Sequence, residues 1–145
     1  MEKLHFSIVI QAPVKKVWDL MLAQESYRVW AGVFSAGSDY DGSWENGARI
    51  KFVDGSGGGM LSEIADNQLH KFVAIRHFGE VNNGIEDTTS DRVKAWAPAY
   101  ESYTFTEQGE ATKLDVELDV PESFVQFMND TWPEALKKLK ALCEE

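Results

Sequence analysis

The chain has a single cysteine, Cys143, so it cannot close an internal disulfide. It does not need one. A chain of 145 residues buries roughly 68–70% of its unfolded surface in a single core. A lone thiol fits a reducing compartment, and a cytoplasmic location is expected. Histidine is also scarce. His5, His70 and His77 show no ligand spacing and have no cysteine to join them, so neither a metal site nor a cofactor is expected. Positive charge is short, with 14 Lys and Arg against 24 Asp and Glu and a net charge of −10. That deficit argues against nucleic acid and against anionic lipid as partners. No apolar run approaches the ~20 residues of a membrane span. The opening MEKLHFSIVIQAP lacks the charged start, apolar stretch and small-residue site of a signal peptide, so none is expected. Asp54-Gly-Ser-Gly-Gly-Gly59 lacks the Gly-Lys-Ser/Thr of a phosphate loop and reads as a hairpin tip. No Ser/His/Asp spacing supports a nucleophile.

Hydrophobic periodicity is plentiful. Leu4, Phe6, Ile8 and Ile10 alternate with His5, Ser7, Val9 and Gln11, a strand with one buried face. After Pro13, the residues Val14, Val17, Trp18, Met21 and Leu22 fall on one side of an amphipathic helix. Ser26 is expected to cap a second short helix that carries Tyr27, Trp30 and Val33. Strands follow from about residue 40: Ala48–Val53, Met60–Ala65, Phe72–Phe78, Tyr100–Thr106 and Thr112–Val120. Residues 85–98 read as acidic loop, holding one short strand or none, and the acids Glu86, Asp87 and Asp91 read as solvated. The last element is the longest helix, about 122–144. Its expected apolar face is Phe124, Met128, Trp132, Ala135, Leu139 and Leu142. One helix kinked at Pro133 is expected, and a restart at the capping box Thr131-x-x-Glu134 is the alternative.

The order is strand, two helices, roughly six strands, long helix. Tight turns between strands imply an antiparallel sheet. Its inner face and the apolar stripe of the long helix can hide only against each other. The fold class is therefore α+β, one domain over residues 1–145, with a curved antiparallel sheet of about six to seven strands around the C-terminal helix.

That order, with Ala12-Pro13-Val14-Lys15-Lys16-Val17-Trp18, Trp30, His77-Phe78-Gly79 and the final TWPEALKKLKALCEE, resembles the START-like (SRPBCC) helix-grip superfamily. The branch most resembled is that of the heat-shock protein 90 ATPase activator. Thr131 stands where that branch usually has a glycine before its tryptophan. The resemblance implies a cavity between sheet and helix, and a chaperone as a possible partner. It implies no single chemistry, because superfamily members bind lipids, hormones and polyketides and some are enzymes.

Candidate site residues come from polar groups on inward strand positions. Glu101 shares a face with Tyr103 and Phe105, and a carboxylate there is costly unless paired or solvated. His77 shares a face with Val73 and Ile75, but the opposite set, Phe72, Ala74, Arg76 and Phe78, is nearly as apolar. Two such groups converging in an apolar gap fit an oriented ligand. They equally fit a buried His–Glu pair that satisfies itself. A pocket of roughly a few hundred cubic ångströms is expected, walled by Trp30, Phe52, His77, Glu101, Tyr103 and Met128, with Trp96 and Trp132 as further contacts. The leading expectation is binding of a small apolar or amphipathic molecule. The alternatives are a cyclase or dehydratase using His77 or Glu101 as general acid or base, and a chaperone cofactor acting through protein contact.

Overall fold

Alternation along the first strand sets the inner face of the sheet. In the computed structural model, which describes residues 1–145, β1 (Glu2–Ile10) half-buries Leu4, Phe6 and Ile8 and fully buries Ile10. Its outward residues meet β8 (Ala111–Val120) in cross-strand pairs, Lys3 with Asp119 at 3.0 Å and His5 with Asp115 at 2.9 Å. Two helices follow. α1 (Val14–Leu22) buries Val17, Trp18, Met21 and Leu22, and Pro13 precedes it as its N-cap. Only Ala23 separates it from α2 (Gln24–Ala31). Ser26 is therefore not a cap. It lies inside α2 and donates its hydroxyl to the carbonyl of Ala23 at 3.2 Å. The end of α1 leaves carbonyls that need donors. The Trp30 indole supplies Met21 at 3.1 Å, and the Tyr40 hydroxyl supplies Leu22 at 2.6 Å.

The sheet continues with β2 (Asp39–Gly42), β3 (Arg49–Val53), β4 (Gly58–Gln68), β5 (Phe72–Asn82), β6 (Ile85–Asp87) and β7 (Ala99–Gln108). All pairings are antiparallel, in the order β1-β8-β7-β5-β4-β3-β2, with β6 on the flank of β5. There are thus eight strands, against six or seven expected. The extra ones are β2 and β6, of four and three residues, too short and polar to show a period. The stretch read as loop also holds a one-turn helix, α3 (Asp91–Lys94), which Ser90 caps by accepting the Val93 N–H at 3.2 Å.

The long helix is α4 (Val125–Cys143), entered through a single 3-10 turn at Glu122–Phe124. It runs through Pro133 without restarting. Thr131 caps nothing, and its hydroxyl donates back to the Phe127 carbonyl at 2.6 Å. The buried stripe differs from the expected face. Thr131, Trp132, Ala135, Leu136, Leu139 and Cys143 go in, while Leu142 is half-buried and Phe124 is exposed. A helical wheel assumes one partner surface, whereas α4 packs against β1, α1 and α2, which rotates its covered side toward Leu136 and Cys143. Cys143, in the last turn of α4, is fully buried. Lys140 donates to the Val9 carbonyl at 2.9 Å, and Glu144 accepts the Gln11 N–H at 2.8 Å, which fastens the end of α4 to the end of β1. No helix is long and apolar enough to cross a membrane.

Candidate functional site

The alternation of β5 settles the direction of its histidine. Val73, Ile75 and His77 are buried, and Phe72, Ala74, Arg76 and Phe78 form the outer face. Outside, the Arg49 and Arg76 guanidiniums lie 4.9 and 5.8 Å from the Phe78 ring centre. On β7, Glu101 sits opposite Ile75 and Tyr103 opposite Val73, so both carry their side chains to the inner face. On β4, Ser62 lies opposite Ile50 and His77 and faces in, while Leu61, opposite Lys51 and Gly79, is buried on the other face. Between the two pairs β5 takes in an extra residue, Phe78, a β-bulge.

These residues form one hydrogen-bonded line. The Ser62 hydroxyl lies 2.6 Å from His77 Nδ1, and His77 Nε2 lies 3.0 Å from Glu101 Oε1. Glu101 Oε2 accepts the hydroxyl proton of Tyr103. An ionised carboxylate only accepts, so Nε2 must carry the hydrogen facing it. In the neutral ring Nδ1 is then the acceptor, and Ser62 donates. The two ends of the line, Ser62 and Tyr103, are the most buried. Ser62 is 1% exposed, while the side chains of His77 and Glu101 are 8% and 17% exposed. The carboxylate, between His77 and Tyr103, is the member that solvent reaches most. Burial, the nearby Glu101 charge and their hydrogen bond together hold the Tyr103 phenol well above its usual range. Burial, followed by the charges of Glu101, Asp39 and Tyr40, does the same to Tyr27. Both phenols keep their protons at neutral pH.

Aromatic rings fill the space above this line. Trp132 meets Tyr103 at 6.2 Å, Trp30 at 5.9 Å and Phe34 at 5.0 Å between ring centres. Phe52 meets His77 at 5.8 Å and Tyr27 at 6.1 Å. The expected open chamber is therefore occupied by side chains. The two best-formed depressions lie elsewhere. One, of about 630 Å³, runs between α2 and α4 along Val29, Val33 and Leu142. The other, of about 370 Å³, lies by Trp18, Trp44 and Leu69. Two buried indole N–H groups inside the molecule, those of Trp44 and Trp132, have no partner, a costly arrangement.

Of the expected site residues, His77, Glu101 and Tyr103 are joined by hydrogen bonds, and Trp30, Phe52 and Trp132 pack around them. Met128 is half-buried against the same core, one turn before Trp132. Trp96 is not brought there. The short α3 buries Val93 instead, and the Trp96 indole donates to Glu80 at 3.0 Å. Phe78 is an extra residue on β5, so the faces switch after His77 and Glu80 pairs with Met60, beside Phe52, where it is already engaged by Arg92 at 2.8 Å. Sequence reasoning missed Ser62 and Tyr27. The run Met60, Ser62, Ile64 offered a signal for Ser62, a small polar residue between two apolar ones in phase.

No protein-family model matches the chain, and no curated protein matches it. Solved structures do. The Aha1 dimer from Colwellia psychrerythraea is 18% identical, with a TM-score of 0.75 over 99% of this chain and 97% of that one. Protein MLL2253 from Mesorhizobium loti is 16% identical, with a TM-score of 0.74 over 97% and 96%. DynU16, of the dynemicin biosynthetic locus, is 17% identical with a TM-score of 0.70, and this chain spans 46% of its length. The fold is the helix-grip fold that the resemblance to the START-like superfamily implied. Identities this low carry the fold and nothing finer.

Proposed function

We propose that the chain binds a small amphipathic molecule between the sheet and α4, with Glu101 as its polar anchor. The observation that carries this is the inward Glu101 carboxylate, held by His77 and Tyr103 and still 17% exposed. Stability alone gives no reason for it, because replacing a buried polar pair with packed apolar groups is often neutral or stabilising. The cover is loosest over the first turns of α4. Phe124 and Phe127 are 53% and 45% exposed, and Met128 is half-buried, whereas Trp132 onward is gripped. A guest enters there by displacing rings, and the unpartnered Trp132 N–H is one group it can satisfy. Native mass spectrometry of the purified protein tests this. The expected result is a retained small molecule that is lost in Glu101→Ala. A clean spectrum, together with no binding from a library of amphipathic compounds, refutes it.

A second reading is favoured by the exposed Phe124 and Phe127, which with a filled interior fit a protein-contact surface. The likeness to Aha1 gives that reading a direction, a chaperone partner. Pull-down with a Phe124→Ser/Phe127→Ser variant separates the two, because a partner surface loses its partner while Glu101→Ala leaves it intact. An enzymatic role of cyclase or dehydratase type needs the same Glu101 or His77 to exchange a proton with the guest. It would show as turnover that Glu101→Gln abolishes while the guest still binds.

A further inference from the structure

We infer that the guest of this site is a cation, an amine on an apolar body, and that carboxylic acids are excluded. The inference rests on the binding reading above. It follows from the charges that the inner face does and does not carry. Along β1, β8, β7, β3 and β5 as far as His77, strand alternation turns aliphatic and aromatic side chains inward around one carboxylate, Glu101. Glu80, beyond the bulge at Phe78, shares the face of Met60 but is already paired with Arg92 at 2.8 Å. No lysine or arginine is buried anywhere in the chain. The partly covered cations are already matched, Lys51 to Glu86 and Arg76 to Glu63 at 3.1 Å each, Lys113 to Asp115 at 4.0 Å and Lys140 to Glu144 at 2.5 Å. The ion-pair partner of Glu101 is His77, which is neutral when it donates through Nε2 alone. Apart from the closed Glu80–Arg92 pair, the inner face therefore holds one negative charge with no fixed positive one beside it.

The walls strengthen this preference. Tyr103 bonds Glu101 directly, Trp132 packs on Tyr103, and Phe52 packs on the imidazole that holds the carboxylate. Aromatic faces carry negative potential and attract cations, most strongly where water is excluded. A protonated amine placed at Glu101 gains a charge-assisted bond, roughly twice as strong as a neutral one. A carboxylate placed there meets a like charge in a poorly screened interior. The orphan N–H of Trp132 makes a second demand, for an acceptor such as a hydroxyl or carbonyl oxygen elsewhere on the guest.

Three probes on one apolar body test the inference at pH 7: 2-naphthylethylamine, 2-naphthylethanol and 2-naphthylacetate. Calorimetry gives their affinities, and the indole N–H resonances of Trp30 and Trp132 report whether they bind inside. The amine should bind about tenfold or more tighter than the alcohol, and the acid should not bind detectably. In Glu101→Gln, which keeps the shape of the side chain, the amine should fall to the level of the alcohol. An alcohol or acid that matches the amine in the wild-type protein, while moving the Trp132 resonance, overturns the cation inference and leaves the binding reading standing. If none of the three moves either indole resonance, both fall.

Discussion

Ser62 stands opposite His77 because β5 takes in one extra residue, Phe78, next to it. Ser62 is buried on the inner face, and its hydroxyl lies 2.6 Å from Nδ1. Ser62→Ala should leave that nitrogen buried and unpartnered. We expect a loss of about 1–3 kcal/mol in urea unfolding. Because His77 links Ser62 to Glu101, the double variant with Glu101→Gln should depart from additivity by about 0.5 kcal/mol or more. Strict additivity would show that the line does not act as a unit.

The buried side of α4 can be checked residue by residue. Leu136 and Leu139 are fully covered, whereas Leu142 is half-buried beside the outer groove. Leu139→Ala and Leu136→Ala should each cost about 2–5 kcal/mol. Leu142→Ala should cost about 1 kcal/mol or less. Equal losses at positions 139 and 142 would restore the stripe read from the sequence.

Cys143 should be silent in the folded protein. Burial pushes its thiol up from an ordinary value of 9.0 to about 11, with Lys16 pulling slightly the other way. Iodoacetamide at pH 8 should label it only after unfolding. A raised folded value means that the unfolded chain ionises first as pH climbs. The contribution of Cys143 to stability is therefore complete below about pH 9 and lost as pH rises toward about 11. Denaturation of the wild type against Cys143→Ala should show their difference shrinking over that interval.

On the acid side, Asp39 is the group to watch. The hydrogen bond from Arg28, 3.0 Å away, holds its carboxyl below the usual 3.8, helped by Gln24 and the Tyr40 N–H and opposed by partial burial. The lowered folded value contributes stability above the unfolded value, and that contribution fades as pH falls through the folded one. Arg28→Ala should return the Asp39 titration, followed by NMR, toward 3.8. No change on that substitution would mean that the ion pair is absent in solution.

Much of the fold was legible because its signals are periodic. The alternation of Leu4 to Ile10 and of Leu114 to Val120 places both strands correctly. The inward direction of Glu101 followed from Tyr103 and Phe105 beside it. What escaped has no period. The bulge at Phe78, which sets His77 opposite Ser62, is a matter of register between two strands, invisible in either one alone. The fate of Trp96 depends on a four-residue helix that turns it toward Glu80. The filled interior was the hardest to read. Sequence counts the tryptophans and phenylalanines but does not say that Trp132 lies against Tyr103, Trp30 and Phe34 at once.

Trp30 and Trp132 lie 5.9 Å apart with their planes inclined at 36°, and both are buried. Two indoles this close and this fixed share their electronic excitation. The molecule should therefore carry a built-in optical signature, an opposite-signed couplet from the strong indole transition, superimposed on the backbone circular dichroism, that neither tryptophan would give alone. Anything that wedges between the rings splits the pair and erases the couplet, without a label and without any knowledge of what the intruder is. Unfolding erases it too, but takes the far-ultraviolet signal of the sheet along with it.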